Sequence, residues 1–252
     1  MQVPYKANKS QKHNRMKVAI LAPIVWRTPP QKYGPWEQVA SNVAEGLLKL
    51  NIDVTLYATA NSKTSGKLKY ISETAYGEDK SKDPKVWEAL HIAHLMENAN
   101  NYDIIHNHFD FLPLTYSKLI KTPILTTIHG FSSKNILPVY KKYNNSNHYV
   151  SISNSDRNPL LKYIGTVYNG INPKYFTFVP KHGEYLLFFG RIHPDKGTYE
   201  AIQIAKKTNK KLIVSGIIQN ENYFNTKVKP YIDKEQIIYV GNSVPEQRDK
   251  LL

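Results

Sequence analysis

The sequence predicts an α/β protein built on doubly wound parallel sheets, in two units of unequal size. Three observations carry this. Short runs rich in Val, Ile and Leu alternate with segments of helical periodicity, the pattern of repeated βαβ units. An irregular, proline-containing stretch at 172–183 interrupts the alternation, which then restarts. Finally, 252 residues of which 41% are hydrophobic suffice for more than one average core.

Residues 17–22 form a continuous apolar run, as expected of a strand buried on both faces. A proline-rich loop follows at 23–35, then a helix at 36–50 with Val39, Val43, Leu47 and Leu50 at helical spacing, then a strand at 52–57. Further strands are expected at 102–106, 124–128, 148–153 and 166–168. Helices are expected at 84–100 (with Val86, Leu90, Ala93 and Met96 on one side), 112–120 and 156–163. After the linker come strands at 185–189, 211–215 and 236–240, with helices at 198–208, 221–232 (weak) and 245–252. The expected division is a basic tail at 1–15, a first Rossmann-like unit at 16–171, a linker at 172–183 and a partial second unit at 184–252. Three parallel strands with an open edge make a poor autonomous sheet, so the second unit is expected to be cut short on its C-terminal side.

Composition narrows the chemistry. There are no cysteines, which excludes disulfides, thiolate metal sites and cysteine nucleophiles. The net charge is +14, but it is spread along the chain and carried by lysine; the arginines are Arg15, Arg27, Arg157, Arg191 and Arg248. A nucleic-acid binder concentrates its charge and favours arginine, so no nucleic-acid partner is expected. An anionic small molecule or lipid surface fits better. No window reaches the roughly 20 apolar residues of a membrane span, and the polar first 15 residues lack a secretion signal, so the expected location is cytoplasmic, with peripheral contact to an anionic membrane as an addition.

The stretch Gly190-Arg-Ile-His-Pro-Asp-Lys-Gly197 follows a strand and opens a helix. Helix N-termini at the carboxyl ends of parallel strands present backbone N–H groups to anions. Arg191 and Lys196 add two cations there, a combination suited to a diphosphate whose negative charge grows as it leaves.

With its preceding strand, Tyr185-Leu-Leu-Phe-Phe-Gly-Arg-Ile-His-Pro-Asp-Lys-Gly197 resembles the donor-site segment of family 4 glycosyltransferases, which have the GT-B fold. Pro29-Pro-Gln-Lys-Tyr-Gly-Pro-Trp-Glu-Gln-Val39 resembles their Pro-Pro-x-x-Tyr-Gly-Gly-x-Glu-x-Val loop. Asp103-Ile-Ile-His-Asn-His108, Thr126-Thr-Ile-His-Gly130, Ser151-Ile-Ser-Asn-Ser155 and Val167-Tyr-Asn-Gly-Ile171 match in the same order. The resemblance runs from Met16 to the end.

The resemblance implies transfer of a hexose from a nucleotide sugar, UDP- or GDP-linked, to a sugar or lipid-linked acceptor, with retention, with no cofactor and no catalytic metal. Arg191, Lys196 and Gly190 would hold the donor, and Gly34 would let the backbone approach it. Pro35 departs from the family's second glycine, and its missing N–H puts direct phosphate cradling there in doubt. His129 would contact the transferred sugar. Tyr33, His108, Ser153 and Arg157 are candidates for the acceptor cleft, with packing as the competing role for His108. Glu37 is read as a carboxylate that favours the start of its helix, not as a general base. The family's later Glu-containing donor motif has no copy in these residues. The chain is therefore expected to be weak or inactive alone, and a non-catalytic nucleotide-sugar or phosphate-binding module is the alternative reading.

Overall fold

The computed structural model describes residues 15–130, 133–181 and 183–252. The expected basic tail lies, except for Arg15, outside the described residues. Two parallel sheets organise the chain. The larger has seven strands, β1 (Lys17–Leu21), β2 (Asp53–Tyr57), β3 (Lys67–Lys69), β4 (Ile104–Asn107), β5 (Ile124–Ile128), β6 (His148–Ser151) and β7 (Tyr163–Thr166), in the order β3-β2-β1-β4-β5-β6-β7. The smaller has β8 (Leu186–Phe189), β9 (Leu212–Ser215) and β10 (Ile237–Gly241), in the order β10-β9-β8.

The apolar run of β1 is explained by its position. Val18, Ile20 and Ala22 face a core shared with Val54, Leu56, Ala40 and Ala44. Ala19 and Leu21 face the opposite core, with Ile92, Leu95, Ile105, Tyr140 and Tyr149. A strand covered on both sides cannot alternate polar and apolar residues. Helix α1 (Pro35–Lys49) covers the first face and α2 (Pro84–Met96) the second. Asp83 caps α2, its carboxylate accepting from the N–H of Lys85 at 2.8 Å, and Pro84 takes the first helical position. In the smaller unit α4 (Thr198–Thr208) supplies Ile202 and Ala205 to a core with Leu212, Val214 and Ile237.

Several local expectations fail. Residues 156–163 are not a helix. Pro159 lacks an N–H, the Asn158 side chain instead accepts from Leu160 N at 3.0 Å, and Tyr163 already begins β7. The strand expected at 166–168 accordingly lies earlier, at Tyr163–Thr166. The helix expected at 112–120 is one 3₁₀ stretch, Leu112–Tyr116. The inner face of α2 is His91, Ile92, Leu95 and Met96, whereas Val86 and Leu90 are exposed. In α1, Val43 and Leu47 of the expected stripe pack against the core beside Ala40 and Ala44, while Leu50 is exposed. The 221–232 segment is a broken helix, with α5 (Glu221–Tyr223), a π turn at Phe224–Val228 and a 3₁₀ turn at Lys229–Tyr231. The edge strand β3 and the helix α3 (Leu137–Tyr143) were not anticipated. The last helix, α6 (Pro245–Leu251), was.

Strand order in the larger sheet reverses direction between β1 and β4. Open parallel sheets bind ligands at such a switch point, beyond the carboxyl ends of the strands.

Candidate active site

Beyond β1 the chain enters the proline-rich loop, which is pinned on two sides. Thr28 N–H donates to Ser62 Oγ at 2.8 Å, and Lys63 N–H donates to Thr28 O at 2.7 Å. Gly77 N–H donates to Val25 O at 2.9 Å, and Arg27 forms a two-pronged pair with Glu78 at 3.0 and 3.2 Å. His91 of α2 is fully buried and its Nε2 lies 2.9 Å from Ala22 O; a carbonyl only accepts, so Nε2 carries the proton. Burial lowers this imidazole to about 4, keeping it neutral.

Gly34 ends the loop and precedes α1. A Cβ there would lie 2.7 Å from Pro30 Cβ and 3.1 Å from Glu37 Oε2. This close approach, at a φ of 155°, is a structural reason for glycine. Glu37, in the first turn of α1, is buried, and its Oε1 accepts from Trp26 N–H at 3.2 Å. Desolvation raises its carboxyl to about 7, against the lowering effect of backbone hydrogen bonds. Sequence reasoning missed this burial: it read Glu37 only as a charge at a helix start.

The loops after β4 and β5 complete the first half of the site. Asn107 Oδ1 accepts from Phe109 N–H at 2.8 Å, and Asn107 Nδ2 donates to Asp110 O at 2.7 Å, fixing the turn that carries His108. His108 Nδ1 and His129 Nε2 are 2.9 Å apart. The His129 ring stacks on Trp36, with centroids 5.5 Å apart and planes 20° from parallel. His106 packs on His108 at 4.2 Å between centroids. Desolvation depresses all three imidazoles, His106 and His129 to about 4. His108 is completely buried, so it stands behind His129 and cannot itself touch an acceptor. That corrects its expected place in the acceptor cleft.

The second half of the site is the turn after β8. Gly190 N–H donates to Ser215 O at 3.0 Å. The backbone passes so close here that a Cβ on Gly216 would fall 1.7 Å from Gly190 O, whereas one on Gly190 would have room. Gly216 is thus the sterically required glycine, and it escaped sequence reasoning. Arg191 donates to Gln219 Oε1 at 2.5 Å and is paired with Asp195. His193 Nδ1 also meets Asp195, at 2.6 Å. A 3₁₀ turn, Pro194–Lys196, leads into α4 through Gly197 at a φ of 72°. Lys196 is exposed, just before the helix N-terminus.

Tyr33 lies in the proline-rich loop, one residue before Gly34. Burial raises its phenol, while Arg191 opposes the shift and Glu37 and Asp195 add to it. Tyr33 therefore lies within electrostatic reach of charges from both halves. Ser153 and Arg157 are organised locally instead. Ser153 Oγ is 2.9 Å from Ser155 Oγ and 3.0 Å from Asp156 Oδ2. Arg157 lies over the Tyr163 ring at 4.8 Å and donates to Thr166 Oγ1 at 3.5 Å. The helix expected at 156–163 is absent beside them.

A family model described as Glycosyltransferase Family 4 matches residues 36–175. No curated protein sequence matches the chain. Among solved structures, the chain is similar to AviGT4, a glycosyltransferase involved in avilamycin A biosynthesis. Identity is 20% and the TM-score 0.63, over 94% of this chain and 67% of that one. It is similar to α,α-trehalose 6-phosphate synthase from Burkholderia multivorans at 12% identity and a TM-score of 0.56, over 94% of this chain and 74% of that one. It is also similar to UDP-N-acetylglucosamine 2-epimerase from Rickettsia bellii at 13% identity and a TM-score of 0.55, over 90% of this chain and 69% of that one. At such identities the likeness is one of fold, and the fold is GT-B-like.

Proposed function

The chain belongs to glycosyltransferase family 4, and from that premise we propose that it transfers a hexose from a UDP- or GDP-sugar to a hydroxyl of a sugar or lipid-linked acceptor, with retention. The observation that carries the proposal is the pairing of Arg191 with Asp195 in the turn that leads through Lys196 and Gly197 into α4, in a chain whose first sheet carries His129 against His108 and Trp36. As the glycosidic C–O bond breaks, negative charge grows on the departing diphosphate. In the proposed reaction Arg191, Lys196 and the N-terminus of the 11-residue helix α4 would stabilise it. His129, held flat against Trp36, takes the side of the transferred sugar. The nucleotide sugar is a substrate; the proposal includes no cofactor and no metal.

Calorimetric titration with UDP- and GDP-hexoses, paired with a transfer assay, tests this. Binding of one donor that is lost in Arg191→Ala is expected; absence of binding by both donors overturns it. The alternative reading is a binding-only module. Donor binding without turnover under any acceptor would select that reading.

Among the described residues no helix is long and apolar enough to cross a membrane. Contact with anionic lipid enters the proposal through Lys134, Lys141 and Lys142, which line one basic surface with Leu137 and Pro138. Failure to co-sediment with phosphatidylserine vesicles at low salt would remove it.

A further inference from the structure

The contact between His108 and His129 fixes more than a distance. Burial keeps both rings neutral near pH 7. A neutral imidazole has one N–H and one lone pair, so the 2.9 Å contact needs a donor from one ring and an acceptor from the other. Two arrangements satisfy it. If His129 Nε2–H donates, the proton of His108 must sit on its own Nε2. If His108 Nδ1–H donates, its Nε2 keeps only a lone pair.

The surroundings of His108 distinguish the two. Its Nε2 is buried and has no hydrogen-bond partner among the described residues. One neighbour, His106, already directs its Nε2 to Thr127 Oγ1 at 2.8 Å and offers a ring 4.2 Å away. Orphaned buried donors are rarer in folded proteins than acceptors with an unused lone pair. The second arrangement therefore prevails: His108 donates from Nδ1.

We infer that His108 is a positioning residue that holds His129 in its Nδ1–H tautomer, so that the imidazole facing the transferred sugar offers a hydrogen-bond donor and no lone pair. The inference rests on the glycosyltransferase reading for the identity of what His129 meets. Its remaining nitrogen, Nδ1, makes no hydrogen bond among the described residues, and His129 alone of the three is backed by Trp36. The group recognised is thus an acceptor oxygen: a sugar hydroxyl acting as acceptor, or an oxygen of the glycosyl phosphate. It also follows that His129 does not take the proton of the attacking hydroxyl, because its one lone pair is occupied by His108.

The test uses the full chain labelled with ¹⁵N-histidine. Long-range ¹H–¹⁵N spectra near pH 7 report which nitrogen of each ring is protonated. The expected wild-type result is Nδ1–H at both His108 and His129; Nε2–H at His129 overturns the proposal, whatever any variant does. His108→Asn keeps an N–H near the position of Nδ1, and His108→Leu removes it. His129 is expected to stay Nδ1–H in the Asn variant and to become a tautomer mixture in the Leu variant. Donor turnover should fall about tenfold in His108→Leu, as for one lost oriented hydrogen bond, and recover in His108→Asn. Equal kcat in wild type and a folded Leu variant overturns the positioning role. Full activity in His129→Ala overturns the reading of His129 itself, a failure separable from a wrong tautomer because the wild-type spectrum is judged independently.

Discussion

At the end of β5, His129 meets His108 and Trp36 in a cluster without charge, and Glu37 lies buried in the first turn of the same helix as Trp36. At the end of β8, Arg191, His193 and Asp195 meet in ion pairs, with Arg191 and Asp195 at 26% and 46% side-chain exposure. Burial against the larger core keeps the imidazoles of the first cluster neutral. In the second, solvent screens the pairs, and each contributes about 1 kcal/mol or less. The contrast suits opposite tasks. A neutral, packed imidazole aims one hydrogen bond. On the proposed reading, a solvent-screened arginine exchanges Asp195 for the diphosphate at little cost.

The harshest way to break the comparison is at the crossing of the two glycines in the smaller unit. Gly216→Ala places a Cβ 1.7 Å from Gly190 O, and the strands must part. A loss above about 4 kcal/mol is expected in urea unfolding, because the obstacle is backbone. Arg191→Ala should leave unfolding unchanged within about 1 kcal/mol, yet lower donor kcat/KM by about 10²- to 10³-fold. A stability loss as large as the catalytic one would erase the distinction between the two halves.

Glu37→Gln sharpens the neutral half. The folded carboxyl sits at about 7, above the ordinary 4.5. Between these values the folded state binds more proton than the unfolded one. Stability from this group is therefore present below pH 4.5, falls as pH rises to about 7, and is level above. The Gln variant keeps an acceptor for Trp26 N–H and cannot ionise. It should unfold without this slope, and at pH 8 should gain about 2–3 kcal/mol over wild type. The smallest effect is expected at Lys67, exposed and 2.8 Å from Asp53 on the edge strand. Lys67→Ala should change stability by less than about 1 kcal/mol, and less still at 1 M salt.

Much of this architecture was legible along the chain. β1, β2, β5, β8, β9 and α4 announce themselves by short apolar runs and helical spacing, and the order of motifs announces the family. The misses share a cause. The 156–163 segment has helical spacing, but Pro159 and the Asn158 side chain impose a turn that periodicity does not register. In α1 the small residues Ala40 and Ala44 pack closest to the sheet with Val43 and Leu47 beside them, whereas in α2 the buried face is His91, Ile92, Leu95 and Met96, one step round the helix from Val86 and Leu90. α3 was overlooked because its seven residues hold too few turns to show a period.

What the sequence alone determined is local: which segments extend, which loops carry chemistry, and that Arg191 and Lys196 lead into a helix start. The tertiary structure decided what those loops meet. His108 and His129 stand 21 positions apart and touch because β4 and β5 pair with His106 beside Leu125 and Asn107 beside Thr126. That register is imposed by cores on both faces of the sheet, and a slip by one residue would turn every side chain to the other face. The burial that leaves Glu37 at about 7 and both imidazoles neutral arises in the same way. Charge states follow from desolvation, and desolvation depends on neighbours that the order of residues does not display.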